Sequence, residues 1–198
     1  MYILVLMLPL IGFLFSAFGR YFGRELAPVL SVVSVFFSFL VSVFCFYEVC
    51  LSGSVVSLKC FTWILFESTV ITFGLLFDSL TCVMLLIVTG ISFLVHLYSL
   101  EYMLFDPHRI RFVGYLSLFT FFMLVLVTAD NYLQMFVGWE GVGLCSYLLI
   151  NFWFTRILAN KAALKAMIMN RIADVFFCLG IVLILLIFKT CDYLLVSI

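Results

Sequence analysis

The sequence is short of charge and of the residues that interrupt apolar runs. Only 10% of its 198 residues are Asp, Glu, Lys or Arg, and it holds three prolines and two histidines. Soluble domains carry about 25% charged residues, and a soluble fold has no place for the 67% hydrophobic residues and mean hydropathy of +1.37 found here. Ten basic and ten acidic residues cancel, which excludes the basic footprint of a nucleic-acid-binding protein, a polybasic tail and a site built for acidic substrates. Also missing are a Gly-rich phosphate loop, a Cys-rich cluster motif, a haem attachment sequence and a nucleophile elbow. No redox or nucleophilic chemistry is therefore expected of the chain, and no metal or cofactor is expected to be bound by it. Its seven cysteines, at 45, 50, 60, 82, 145, 178 and 191, show no C-x-x-C pair and no accompanying histidine pattern. They read as small buried hydrophobes. The opening MYILVLMLPLIGFLFSAFGR has no Lys or Arg before its apolar run and no A-x-A cleavage site, so a retained helix is expected there rather than a signal peptide.

What the sequence has is long apolar runs. A hydrocarbon core about 30 Å thick needs roughly 20 apolar residues at about 1.5 Å each, and six runs approach this: residues 2–18, 27–51, 77–100, 112–129, 131–154 and 163–188. In hydrocarbon each backbone polar group must be bonded within its own segment, and the runs lack the alternation of a barrel strand. The expected class is thus all-α, a polytopic bundle of about six transmembrane helices. Connections are short except over residues 52–76, where Ser-Gly-Ser precedes the β-branched and aromatic VVSLKCFTWI, a pattern suited to a small surface hairpin. Asp106-Pro107 and Asp130-Asn131 mark turns.

The placement of charge sets the orientation. Arg20, Arg24, Arg109, Arg111, Arg156, Lys161 and Lys165 fall in or beside the first, third and fifth connections, whereas Lys59 and Lys189 fall on the other side. The positive-inside rule then puts the N-terminus outside and the three basic loops inside.

Ionisable groups deep in a span cost from about 2.5 to above 10 kcal/mol and ask for a reason. Glu140, in GWEGVG, lies well inside the fifth run, and Asp174, in NRIAD, well inside the sixth. At 100° per residue Glu140 shares a face with Gly143, Tyr147 and Asn151, while Gln134, Gly138, Gly141 and Cys145 form a second stripe suited to close helix packing. Arg171 is near enough to Asp174 along the helix to serve as its local partner. Glu140 reads either as a proton-relay carboxylate or as a buried acid that joins helices by hydrogen bonds. For Asp174 the structural pairing is favoured. Asp78, ahead of Ser79 and Thr81, suits an N-cap. His96, followed by Tyr98 and Glu101, reads as hydrogen-bonded packing with a water-path role as the alternative.

The segments FDSLTCVMLLIVTGISFLVHLYSLEYM, RFVGYLSLFTFFMLVLVTADNYLQMFVGWEGVGLCSYLLINFW and KAALKAMIMNRIAD resemble the chain 5 family of proton-pumping NADH:ubiquinone oxidoreductase, itself part of an antiporter-like superfamily. The most specific pairing is GWEGVGLCSYLLI with NRIAD downstream. The resemblance implies a membrane-arm subunit of the mitochondrial inner membrane, partnered by other membrane-arm subunits and the bilayer. It further implies that NADH and ubiquinone are used by the whole complex and bound by neither this chain nor its channel. Glu140 matches a family glutamate that pairs with a lysine of a later element and passes protons toward the membrane centre; Asp174 and Arg171 match an acidic and basic pair beside that path. Residues 1–76 would supply two helices and an outer loop, and residues 77–198 the start of the proton-channel domain. Family members are several-fold longer, so the rest would come from a continuation of the chain or from a second polypeptide. The alternatives are a sodium/proton antiporter subunit and a structural or assembly membrane protein that conducts no protons.

Overall fold

The computed structural model describes residues 1–23, 25–66 and 69–196. In chain order these form α1 (Tyr2–Ala17), α2 (Gly19–Phe22), α3 (Leu26–Phe46) running on into a π turn (Tyr47–Leu51), β1 (Val56–Phe66), β2 (Thr69–Phe77), α4 (Ser79–Tyr102), α5 (Arg109–Val127), α6 (Tyr132–Ile150), α7 (Ile157–Phe188) and α8 (Tyr193–Val196). The six expected apolar runs correspond to α1 and α3 to α7. Among the described residues five of these helices are long and apolar enough to span a membrane, and α1, at 16 residues, is shorter. Arg24, one of the basic residues of the first connection, lies outside the described residues.

Helix contacts in the first half are made by small and hydroxylated residues, since apolar area alone gives helices no reason to associate in lipid. On α3, Ser31, Ser34, Ser38 and Ser42 are all buried along one seam. Ser38 Oγ donates to the carbonyl of Val5 on α1 at 2.7 Å, and Ser42 Oγ lies 2.8 Å from Thr89 Oγ1 on α4. Gly12 of α1 sits so close to Ser34 that a β-carbon would collide with its hydroxyl. Toward the hairpin end the interior turns apolar, around Val5, Leu75, Phe77, Leu85 and Leu124.

The long connection folds as an antiparallel hairpin, with Val56 opposite Phe77 and register shifts after Lys59 and after Thr62. It is larger than VVSLKCFTWI alone suggests, because TVITFGLLF supplies a second β-branched strand. The strand claims Phe77, which hydropathy had assigned to the following helix, and α4 starts only at Ser79. Asp78 is its cap as expected: its side chain accepts from the Thr81 backbone, and its own N–H donates to Thr81 Oγ1 at 2.7 Å.

The hairpin is fastened to the bundle by the start of α6. Asn131 caps that helix by accepting from Gln134 N at 2.8 Å, and its Nδ2 donates to the Thr72 carbonyl at 2.6 Å. Gln134 Oε1 accepts from Gly74 N at 3.1 Å, and Leu76 N donates to the Thr128 carbonyl at 3.0 Å. Gln134 was grouped by periodicity with the packing glycines, but its main work is this clamp. A further boundary differs from the sequence reading. Helix α7 begins at Ile157 rather than 163 and has 32 residues, about 48 Å of helix. Its first turns, carrying Asn160, Lys161 and Lys165, extend past the hydrocarbon, where hydropathy is blind. Among the cysteines, 45, 82, 145 and 191 are buried, but Cys60 on the hairpin and Cys178 on α7 are exposed, correcting the expectation that all behave as interior residues.

Asp130 sits in the clamp, 3% exposed, beside Gly74 of β2. Burial first, and then the charge of Asp192, raise its pKa above the ordinary carboxylate value, with Lys59 pulling the other way. A raised folded-state pKa means the folded chain binds this proton more tightly than the unfolded chain, so stability is lost as pH rises through that raised value. Asp130→Asn is expected to raise the melting temperature at neutral pH by a few degrees. The gain should vanish below about pH 4, where the wild-type carboxyl is protonated in both states; circular dichroism melts across pH check this.

Candidate functional site: a carboxylate and guanidinium groove between α6 and α7

Helix α6 is held against α5 by its glycine stripe. A β-carbon on Gly138 would lie 2.7 Å from the Leu126 backbone, and one on Gly141 would run into the Phe122 ring. Cys145, on the same stripe, is fully buried. This fixes the rotation of α6 and turns its other face, about 100° away per residue step, toward α7. On that face lie Glu140, Gly143 and Tyr147, as periodicity indicated, together with Trp139.

The two helices enclose an open groove of about 410 Å³, with Glu140, Gly143 and Tyr147 on one wall and Met167, Asn170, Arg171 and Asp174 on the other. Arg171 Nη1 donates to Glu140 Oε1 at 2.8 Å, with the arginine side chain 59% and the glutamate 28% exposed to the groove and its surroundings. Arg171 thus makes its ion pair across the groove rather than with Asp174 on its own helix. The reason is geometric: an acid placed after the base along a helix is the weaker orientation of such pairs, and side chains lean toward the helix N-terminus, so Arg171 tilts away from Asp174. Asp174, 7% exposed, accepts instead from Trp139 Nε1 at 3.0 Å. Its carboxyl group lines the same groove as Glu140.

Trp139 is the member of the cluster that sequence reasoning passed over. The signal was present, since an indole N–H inside a membrane must find an acceptor, and a tryptophan next to an intramembrane glutamate advertises one. Its ring also packs near Phe177 of α7, with centroids 6.4 Å apart.

His96 is not part of this groove. It is fully buried between α4 and α5, with Nδ1 2.7 Å from the Ser92 carbonyl and Nε2 3.2 Å from Ser117 Oγ. A carbonyl can only accept, so Nδ1 carries a proton toward Ser92, while Nε2 lies against the Ser117 hydroxyl, which also reaches the Val113 carbonyl at 3.1 Å. The chemistry of the groove is therefore carried by two carboxyl groups, one guanidinium and one indole donor. One positive charge compensates one carboxylate, and the second carboxyl has no cation of its own among the described residues. Such a set can take up and give back a single proton while staying close to neutral.

Two family profiles match the chain: residues 63–113 fit "NADH-Ubiquinone oxidoreductase (complex I), chain 5 N-terminus", and residues 129–194 fit "NADH:quinone oxidoreductase/Mrp antiporter, TM". Curated relatives called NADH-ubiquinone oxidoreductase chain 5 include that of Marchantia polymorpha, 54% identical over 98% of the chain, and that of Dictyostelium citrinum, 52% identical over 98%. The relative from Metridium senile is 55% identical over 93% of the chain. The chain spans only 29–31% of the length of these relatives. Among solved structures, a chain of the membrane-bound sulfane sulfur reductase, an archaeal respiratory membrane complex, superimposes with a TM-score of 0.83 over 96% of this chain and 38% of that one, at 20% identity. At that identity the likeness speaks for the fold.

The pairing across the groove has an energetic signature. Arg171→Gln alone strands Glu140, whereas the double variant Glu140→Gln, Arg171→Gln leaves two amides that bond each other. The double variant is expected to unfold later than Arg171→Gln, with a coupling on the order of 1 kcal/mol, measured as a double-mutant cycle of thermal or detergent-denaturation midpoints.

Proposed function

We infer that this chain, by sequence the counterpart of the N-terminal part of NADH-ubiquinone oxidoreductase chain 5, works in the membrane arm of a proton-pumping respiratory complex and carries one stretch of its proton path. The observation that carries this reading is the Glu140–Arg171 ion pair across the α6/α7 groove with Asp174 beside it. Ionisable groups are kept inside spans at high cost, and two acids with a cation on only one of them form a site that can load and release a proton. Electron transfer belongs to other parts of the complex, and the chain itself binds neither NADH nor ubiquinone.

The mechanism follows from charge balance. With Arg171 on Glu140, that carboxylate is compensated, and a proton entering the groove resides on the Glu140 and Asp174 pair, oriented by the Trp139 indole. When Arg171 swings away, Glu140 loses its counter-charge and takes the proton; when Arg171 returns, the proton is expelled toward the next acceptor. Arg171 has the long, half-exposed side chain such a swing requires. In the relatives' longer chains, further cations beyond this portion would compete for Glu140 and so couple the groove to the remainder of the path. The setting that fits is the mitochondrial inner membrane, with the N-terminus and the hairpin on the outer side and the basic ends of α5 and α7 inside. Its partners are then the rest of chain 5, the neighbouring membrane-arm subunits and the bilayer. His96, bonded on both ring nitrogens away from the groove, serves in this reading as a positioning element between α4 and α5.

The sodium/proton antiporter alternative is not favoured, because the relatives cited above, which match nearly the whole of this chain, all carry the chain 5 name. The structural alternative is separated by Glu140→Gln in the complete complex reconstituted in vesicles. A relay role predicts intact assembly with proton pumping per electron reduced roughly tenfold. Intact assembly with unchanged pumping would leave Glu140 a structural acid and end the relay reading.

A further inference from the structure

At the basic end of the bundle a second groove, also about 410 Å³, runs between α1 and α5, away from the carboxylate site. Phe13 and Ala17 of α1 and Ile110 and Tyr115 of α5 form its walls, and His108 and Arg111 stand at its mouth. It exists because the helices meet on their smallest residues there: a β-carbon on Gly114 would lie 2.5 Å from Ser16 Oγ. Nothing bulky fills the furrow beside that contact.

The charges around the mouth are unevenly matched. Arg109, only 5% exposed, is bonded to Glu25 at 2.9 Å. Asp106 is occupied on both oxygens, Oδ1 by the His108 backbone N–H at 2.9 Å and Oδ2 by Trp153 Nε1 at 3.2 Å. Arg111 has no carboxylate partner among the described residues; its guanidinium rests 5.7 Å from the centre of the Tyr115 ring, over the groove. Leading away from the groove, Leu14, Ile11, Met7 and Leu4 are each 39–49% exposed on α1. This apolar stripe begins one turn from Ala17 and covers about 15 Å of the span.

We propose that this groove is a binding site for an anionic phospholipid, with the headgroup phosphate on Arg111 and His108 and an acyl chain laid along the α1 stripe. A guanidinium forks onto phosphate oxygens, and basic pockets between helices at a membrane surface select lipids whose headgroups carry no compensating ammonium. A soluble acidic peptide would match the mouth but leave the apolar walls and the stripe unused, whereas a lipid satisfies both.

The test uses the complete complex in membranes doped with phosphatidylglycerol or phosphatidylcholine bearing a photoreactive group on the acyl chain, read by peptide mapping. Phosphatidylglycerol is expected to label peptides holding Phe13–Ala17 and Ile110–Tyr115 roughly fivefold more than phosphatidylcholine, the discrimination that one surface cation supplies. Arg111→Gln should bring the two probes to parity, while Arg111→Lys, which keeps the charge and controls for folding, should retain most of the preference. Equal labelling by both headgroups in the unsubstituted complex overturns the proposal. So does displacement of the label by inorganic phosphate, which would assign the mouth to a small anion, and so does absence of label because a neighbouring protein covers the groove.

Discussion

A polar group inside hydrocarbon has no water to fall back on, so every such group must be answered by another group of the protein, and this constraint organises the molecule from one end to the other. Backbone groups are answered within helices, except in the hairpin, whose exposed edge is bonded to Thr128, Asn131 and Gln134 at the end of the bundle. Within the helices, serine and threonine hydroxyls are answered by the carbonyl one turn back or by a neighbouring helix, as Ser42 and Thr89 show. The ionisable groups are answered last and least completely. Glu140 has Arg171 and Asp174 has an indole, which leaves one carboxyl short of a cation among the described residues. An incompletely answered charge is a poor way to build stability and a good way to hold a mobile proton.

Packing and chemistry are divided between the two faces of α6. One face is glycine and cysteine, pressed onto α5 closely enough that Gly138 and Gly141 leave no room for a β-carbon. The other face carries Trp139, Glu140 and Tyr147 into the groove. Rigidity on the first face lets the second hold fixed distances to α7. Helix α7, by contrast, packs chiefly on α6 and exposes Val175, Phe176, Leu179 and Leu183 to its surroundings. The cation on α7 can therefore adjust relative to the acid on α6 more easily than the acid can move.

Much of this was legible in the sequence because the signals involved are local. Apolar run length located the membrane helices, the Asp78-Ser79-Leu80-Thr81 pattern gave the cap of α4, and 100° periodicity separated the packing face of α6 from its polar face. What was hidden depends on contacts between segments. Gln134 belongs by periodicity to the packing stripe, and only the docking of β2 reveals it as a clamp. Arg171 and Asp174 look like natural partners on one helix, and only the approach of α6 redirects each of them, to Glu140 and to Trp139. The polar first turns of α7 fell outside any hydropathy window because helix continues past the apolar core into the interface.

The central claim is that the Glu140 and Asp174 pair exchanges a proton as Arg171 moves. The most direct measurement is infrared difference spectroscopy of the working complex, comparing resting and turning-over states with Glu140→Gln and Asp174→Asn variants to assign the carboxyl bands. The account predicts a protonated carboxyl stretch that appears or disappears on turnover and is lost from the difference spectrum in Glu140→Gln. A spectrum in which neither carboxyl changes protonation while protons are being pumped would contradict it.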